Sequence, residues 1–211
     1  AIPLSLPAGG TCVILAGAGS GKTVLMKHMI GLLKPDQGQV IVDGEDIVPL
    51  GDAALEKMRR KFGMVFQAAA LFDSMTVFED VAFPLREHPK GMSEQQVREV
   101  VRAKLELLGL PASAEGRFPA DLSGGMRKRV GLSRAVVLEP KIVLYDEPTT
   151  GLDPISTASV DEMILEAQAK LKVTSVVISH DISSAFNVAD YIALLSKEVI
   201  GELGPPEQVR E

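Results

Sequence analysis

The chain has 211 residues, 46% of them hydrophobic and 24% charged, so it can bury a substantial core. Its formal net charge of −6 argues against a general nucleic-acid binder, because such proteins usually carry a basic excess or a basic face. The single cysteine, Cys12, excludes an internal disulfide, and no apolar run reaches the ~18–20 residues of a membrane-spanning helix. We expect one large domain or two lobes sharing a core, with any membrane role coming through a partner.

The first part of the chain alternates between strand and helix patterns. We predict in order a strand, a buried strand, a helix, a short strand before the hairpin-type turn Asp43-Gly44, a short helix and another strand. These elements cover residues 2–6, 12–15, 24 to about 33, 40–42, 53–61 and 62–66.

The middle of the chain carries helix signals and no strand signal. Two capping boxes, at 76–79 and 93–96, each mark a helix start, and Pro84 is expected to kink or end the first helix. The second helix should stop at residues 109–111. We therefore predict an α-helical subdomain over 74–135, inserted into a nucleotide-binding core made of 1–73 and 136–211.

The last part returns to alternating strands and helices. Strands are predicted at 142–145, 173–178 and 191–195, the last of these being the final one, with helices after Pro154 and over 182–188. Such alternation predicts an α/β fold with a mostly parallel sheet and ligands at the strand ends.

Residues 16–23, Ala-Gly-Ala-Gly-Ser-Gly-Lys-Thr, lie between the buried strand and the first helix. A glycine-rich loop in that setting exposes backbone N–H groups at a helix N-terminus, which suits phosphate. Lys22 would contact the outer phosphates, and the Thr23 hydroxyl would ligate Mg2+. Ala16 replaces the first glycine of this motif, which costs about 1–2 kcal/mol only if its φ is positive.

Two further segments suggest chemistry. Asp146 and Glu147 follow an apolar strand, where one acid could hold Mg2+ and the other could polarise a water; alternatively, they only end the strand. The segment 123–125, Ser-Gly-Gly, precedes a helix and could form a second anion site, or serve only as a cap. The basic runs at 59–61 and 127–129 are expected to be solvated helix faces.

Together these segments resemble one family, the nucleotide-binding subunits of ATP-binding-cassette (ABC) transporters. The resemblance covers essentially the whole chain and implies a P-loop NTPase fold. It is carried by six motifs in order: 16–23, 65–67, 122–126, 144–148, 151–154 and 178–181.

The resemblance assigns a role to each matching residue. It implies that Glu147 is the catalytic base and that His180 is the switch histidine. It also implies that Gln67 is the Q-loop glutamine, which senses nucleotide and metal. Mg2+ would be held by Thr23, Gln67 and Asp146. ATP would contact the phosphate loop of one copy and the signature of a second copy; these residues are Gly17, Ala18, Gly19, Ser20, Gly21, Lys22, Thr23, Val24, Ser123, Gly124, Gly125, Met126 and the D-loop residue Asp153.

A narrower similarity, to the ATPases of Mce-type phospholipid transporters that maintain lipid asymmetry, lies in residues 70–88 and in Met126, where most relatives carry Gln. It implies a homodimer on the cytoplasmic face of the bacterial inner membrane, a permease docking near 69–86, and a lipid-binding Mce-type subunit. Leu71, Phe72 and Met75 are expected to form the docking groove, whereas Val77, Val81 and Leu85 fit the interior of the subdomain.

Two departures from the family pattern bear on nucleotide affinity. The residue that stacks on adenine would precede Ala1, and Val24 stands where Thr or Ser is usual. The remaining alternatives are the ATPase of a small-solute importer or exporter, a soluble ABC ATPase acting on nucleic acid or ribosomes, and a catalytically silent cassette. Retention of Lys22, Asp146, Glu147 and His180 together argues against the silent form.

Overall fold

The computed structural model describes residues 4–17, 19–87, 91–196 and 199–209. Within these ranges the chain forms eight strands and seven α-helices. They are β1 (Thr11–Ala16), α1 (Lys22–Met29), β2 (Ile41–Val42), β3 (Glu45–Asp46), α2 (Asp52–Arg59), β4 (Phe62–Val65), α3 (Val77–Arg86), α4 (Glu94–Leu107), α5 (Gly124–Val136), β5 (Ile142–Asp146), α6 (Pro154–Leu171), β6 (Thr174–Ser179), α7 (Ile182–Val188), β7 (Tyr191–Ser196) and β8 (Val199–Gly204).

The main sheet has six strands in the order β4-β5-β6-β1-β7-β8. The neighbouring strands from β4 to β7 run parallel, and β8 pairs antiparallel with β7. Every residue of β1 is buried, as expected for a central parallel strand covered on both faces. The predicted α/β fold with a mostly parallel sheet is confirmed.

Apolar clusters cover both faces of the sheet. Because side chains alternate along β1, Val13 and Leu15 belong to a cluster shared with residues of α5, α6 and α7. Cys12 and Ile14 point to the other face and join a cluster that includes Leu25 of α1. The carboxyl ends of the parallel strands therefore lie along one edge of a rigid three-layer core, with the loops that follow them.

Helices α3, α4 and α5 share a third apolar cluster. Both predicted capping boxes are present, Thr76 with Glu79 and Ser93 with Gln96. Val77, Val81 and Leu85 are buried in this cluster, as the sequence predicted. The described residues of 74–135 form no strand. The division of the chain at residues 74 and 135 stays a prediction.

Several predicted boundaries are wrong. Helix α1 ends at Met29, before Gly31, whose φ of 66° breaks the helix. Helix α3 continues past Pro84 and ends two residues later at Arg86, so Pro84 does not end it, and a kink at Pro84 stays a prediction. Residues 4–6 form no strand, and residues 2 and 3 lie outside the described ranges. Strand β8 was missed because it is a mostly exposed edge strand with two glycines, so it carries no buried apolar pattern.

Candidate active site

The phosphate loop connects the end of β1 to the start of α1. Gly19 and Gly21 adopt left-handed φ values of 71° and 92°, which only glycine accepts easily. The Ser20 hydroxyl donates to the Gly17 carbonyl at 2.8 Å and so closes the turn. Ala16 is part of β1 and is absent from the positive-φ residues, so its replacement of glycine is free of backbone strain. Ala18 lies outside the described residues.

The loop has the features of an anion cradle. A Cβ added to Gly17 or Gly19 would meet no heavy atom within 4 Å, so open space borders both glycines. No side chain caps α1 at Gly21, which leaves the first N–H groups of the helix without a side-chain partner. A triphosphate would satisfy these donors and the helix dipole together. Thr23 and Val24, which follow on α1, are exposed.

Lys22 extends from this loop to the end of β5. Its ammonium donates to Oε1 of Glu147 at 2.5 Å and to the Ala16 carbonyl oxygen at 3.1 Å. Both side chains are largely buried, with 18% and 12% of their surfaces exposed, so solvent screens the ion pair only weakly. The two motifs that the sequence placed at separate strand ends are therefore in direct contact.

The backbone N–H and both carboxylate oxygens of Glu147 have hydrogen-bond partners. Its backbone N–H donates to the Ile178 carbonyl at 2.8 Å, although its φ of 49° is unfavourable for a residue with a Cβ. Oε2 accepts from the Thr150 hydroxyl at 2.9 Å and lies 2.8 Å from Nδ1 of His180. Burial opposes ionisation, but the hydrogen bonds from Lys22, Thr150 and His180 prevail and lower the pKa of Glu147. Thr150 was not among the predicted site residues, because a threonine after the strand carries no motif by itself.

Asp146, the last residue of β5, is half-buried next to Glu147. Burial and the adjacent Glu147 charge raise its pKa, against the opposing effect of Lys22. A nearby cation would stabilise the ionised form of such a carboxylate. Asp146 is therefore a suitable ligand for a metal ion that is also bound by the phosphates of a nucleotide. Among the described residues, no group of three or more His, Cys, Asp or Glu could hold a metal by itself.

Gln67 follows β4 and is exposed. The register of β4 with β5 ends at the pair Val65 and Tyr145, and its continuation would set Gln67 opposite Glu147. Asp153 caps α6, accepting from the N–H groups of Ile155 and Ser156 and from the Ser156 hydroxyl. The hydrogen bond from that hydroxyl is the largest of the effects that lower the pKa of Asp153.

The signature segment is exposed at the start of α5. Ser123 caps α5 by accepting from the Met126 N–H at 3.3 Å, and Gly124 and Gly125 begin the helix. Met126 is half-buried against the helical cluster. In the described part of the chain, no hydrogen bond or ion pair joins Ser123, Gly124 or Gly125 to residues 17–24.

The prediction that the basic runs 59–61 and 127–129 are solvated faces is wrong for one residue of each run, Arg59 and Lys128. Lys128 is only 8% exposed and donates to the carbonyl oxygens of Gln67 and Pro148. Arg134, further along α5, pairs at 3.0 Å with Asp80, which is fully buried. Arg59 donates to the carbonyls that follow α1, at residues 30 and 31. These cations hold backbone turns in place, a role that depends on contacts between distant segments.

The segment expected to dock a permease is partly exposed. The Phe72 ring is 41% exposed, lies 5.4 Å from the half-exposed Phe83 ring and carries the Arg134 guanidinium 5.6 Å from its centroid. Leu71 is half-buried against the helical cluster, and Met75 is also half-buried. His88, which matches no motif, lies outside the described residues.

A family model described as ABC transporter matches residues 1–150. The chain is 43% identical over 206 residues to the "Probable ribonucleotide transport ATP-binding protein mkl" of Mycobacterium tuberculosis strain H37Rv, covering 98% of this chain and 57% of that protein. It is 39% identical over 206 residues to the "Intermembrane phospholipid transport system ATP-binding protein MlaF" of Haemophilus influenzae, covering 98% of this chain and 77% of that protein. The chain thus spans less than two thirds of the length of the mkl relative.

Solved structures agree with the fold. The ATP-binding cassette MJ0796, solved as a dimer in a post-hydrolysis state with ADP and Pi, superposes with a TM-score of 0.82 at 30% identity, covering 97% of this chain and 88% of that one. The described residues contain no helix long and apolar enough to cross a membrane.

Proposed function

This chain belongs to the ABC transporter family of ATP-binding proteins, and from that premise we propose that it hydrolyses ATP to power phospholipid transport through a membrane permease. The observation that carries the proposal is the contact between Lys22 of the phosphate loop and Glu147 at the end of β5. It joins a triphosphate cradle to an ionised carboxylate that could accept a proton.

The phosphate loop binds the triphosphate in this proposal. Its backbone N–H groups and the α1 N-terminus surround the phosphates, and Lys22 supplies a full positive charge. The uncapped helix and the open space beside Gly17 and Gly19 support this assignment. The contributing residues are Gly17, Ala18, Gly19, Ser20, Gly21, Lys22, Thr23 and Val24.

The metal site in the proposal uses Thr23, Asp146 and Gln67. Mg2+ bound there would neutralise charge on the phosphate oxygens. The exposed Thr23 hydroxyl is a hard oxygen ligand, and the burial that raises the pKa of Asp146 favours a cation at that carboxylate. Gln67 would reach the site from the end of β4, next to β5.

Hydrolysis follows as an in-line attack. Glu147 accepts a proton from a water whose oxygen bonds to the γ-phosphorus, while the bond to the bridging oxygen of ADP breaks. The lowered pKa of Glu147 keeps the carboxylate in its ionised form, which is the form that a base requires. His180, already in contact with Glu147, would donate to the γ-phosphate.

A second copy would complete the site. Ser123, Gly124 and Gly125 are exposed at the start of α5 and form no hydrogen bond with the described residues of the phosphate loop in their own chain, so they would serve the nucleotide on the partner. The dimeric MJ0796 cassette supports this arrangement. Asp153 would then lie at the junction between the two sites.

The permease would dock on the surface around Phe72 and Phe83. These rings are in tilted contact, with their centroids 5.4 Å apart, and Phe72 follows soon after Gln67 in the chain, which would let docking and nucleotide state affect each other. Leu71 and Met75 line the same loop. The protein would thereby sit on the cytoplasmic face of the inner membrane, alongside an Mce-type lipid-binding subunit.

The transported substrate is proposed from the relatives. The name of MlaF favours phospholipid, whereas the name of mkl favours a ribonucleotide as the second candidate. Co-purification from bacterial membranes, followed by reconstitution of the complex in proteoliposomes, tests both. ATP-dependent transfer of labelled phospholipid supports the proposal; ATP-dependent uptake of ribonucleotide with no lipid transfer contradicts it.

A further inference from the structure

Lys128 is a buried cation whose partners are both backbone carbonyls. Its ammonium donates to the Pro148 oxygen at 2.7 Å and to the Gln67 oxygen, and only 8% of the residue is exposed. Among the described residues no carboxylate forms an ion pair with it, and burial alone lowers its pKa. An ammonium buried without a carboxylate is a poor source of stability. We therefore expect Lys128 to matter for the positions of the two segments that it joins and less for the stability of the fold.

The two carbonyls belong to the ends of neighbouring strands, and no other hydrogen bond of the described residues joins the two segments beyond the ladder. The β4–β5 ladder stops at Val65 and Tyr145. Beyond that pair, the described residues contain no direct hydrogen bond between 66–75 and 147–153. Lys128 therefore bridges the gap, one residue after Glu147 on one side and at Gln67 itself on the other.

The same face of α5 fixes the loop that follows Gln67. Ala69 and Ala70 have left-handed φ values of 60° and 45°, a conformation that costs a residue with a Cβ about 1–2 kcal/mol. Arg134 donates to both of their carbonyls, at 2.9 and 2.8 Å. A Cβ on Gly131 would lie 3.1 Å from the Ala69 Cβ, so the helix and loop touch. Lys128, Gly131 and Arg134 are three residues apart and form one contact face.

From this geometry we propose that Lys128 is a positioning residue for ATP hydrolysis. It fixes the distance between the Gln67 segment and the Glu147–Pro148 turn, and ties both to the helix that begins with the signature. This inference rests on the proposed ATPase function. Lys128 touches none of the phosphate-loop residues in the described chain, so it acts on the chemical step and leaves nucleotide binding to other groups.

The test is steady-state ATP hydrolysis by the full-length protein carrying Lys128→Met, which keeps the length of the side chain and removes its donors. We expect kcat to fall by about tenfold or more, while the KM for ATP stays within about twofold. Lys57→Met on α2 is the matched control, because Lys57 is exposed and has no described partner; it should change neither constant.

Lys128→Arg covers the case in which the Met variant does not fold. Its guanidinium keeps the charge but is too bulky to meet both carbonyls in place, so kcat should again fall with KM unchanged. The inference would be overturned if the Met variant folds and keeps the wild-type kcat, or if only its KM changes. It would also be overturned if the Met variant does not fold and the Arg variant keeps the wild-type kcat. Failure of the wild-type protein to hydrolyse ATP would instead overturn the proposed function and the inference with it.

Discussion

Lys22 and Glu147, 125 residues apart in sequence, form an ion pair of 2.5 Å between the phosphate loop and the end of β5. Thr150 and His180 hold the other oxygen of the same carboxylate. One glutamate therefore connects three loops at the carboxyl edge of the sheet, and its ionisation matters for stability as well as for chemistry.

The stability contributed by Glu147 should depend on pH. Because its pKa is lower in the folded chain than in the unfolded one, this contribution is complete above the unfolded-state pKa and is lost as pH falls through the folded-state value. At neutral pH, Glu147→Gln should lower the free energy of unfolding by about 1–2 kcal/mol, and the difference should shrink in acid. Denaturant titrations at several pH values check this. An equal difference at every pH would contradict it; Glu162→Gln, at an exposed site on α6, is the control.

The contact between α5 and the loop after Gln67 predicts a steric penalty at Gly131. An added Cβ would lie 3.1 Å from the Ala69 Cβ and 3.2 Å from its carbonyl oxygen. Gly131→Ala should therefore lower the free energy of unfolding by about 1–3 kcal/mol, although helix propensity alone favours alanine by about 1 kcal/mol. Gly116→Ala, where a Cβ meets nothing within 4 Å, is the matched control in urea denaturation. If the Gly131→Ala protein is as stable as wild type, the loop around Ala69 moves to accommodate the added Cβ and the prediction is wrong.

The contacts of α5 and of Glu147 separate the features that the sequence predicted from those that it did not. The capping boxes and the apolar strands were predicted because their signals lie within a few residues. The buried roles of Lys128 and Arg134 were missed because a basic run on a helix gives no sign of which carbonyls from distant loops will reach it. The left-handed φ of Glu147 likewise accompanies the hydrogen bond from its N–H to the Ile178 carbonyl near the end of β6, a contact that only the fold provides.

ATP should drive dimerisation of the Glu147→Gln protein. The signature residues Ser123, Gly124 and Gly125 are exposed and form no hydrogen bond with the described phosphate-loop residues, so we expect a second copy to enclose the nucleotide. Sedimentation velocity with ATP and Mg2+ should reveal a dimer, and Ser123→Arg should abolish it while Ser74→Arg, at another exposed serine, should not. A species that stays monomeric with nucleotide demonstrably bound would count against the shared site.

Docking of the permease should depend on Phe72. Its exposed ring makes a tilted contact with the Phe83 ring, so Phe72→Ala removes apolar contact area without touching the phosphate loop. We expect recovery of the permease in affinity purification from membranes to fall at least tenfold, while the melting temperature changes little. Ile41→Ala, at a 64% exposed site on the β2–β3 hairpin, should leave recovery unchanged. Equal recovery for both variants would place the docking surface elsewhere.

The most direct measurement is single-turnover ATP hydrolysis by full-length Glu147→Gln protein at saturating ATP, compared with wild type and Glu162→Gln. If Glu147 is the base, the rate falls by about 10²–10⁴-fold, nucleotide binding persists and Glu162→Gln behaves as wild type. A loss of less than about tenfold, with ATP still bound, would remove Glu147 from the chemical step and contradict the account.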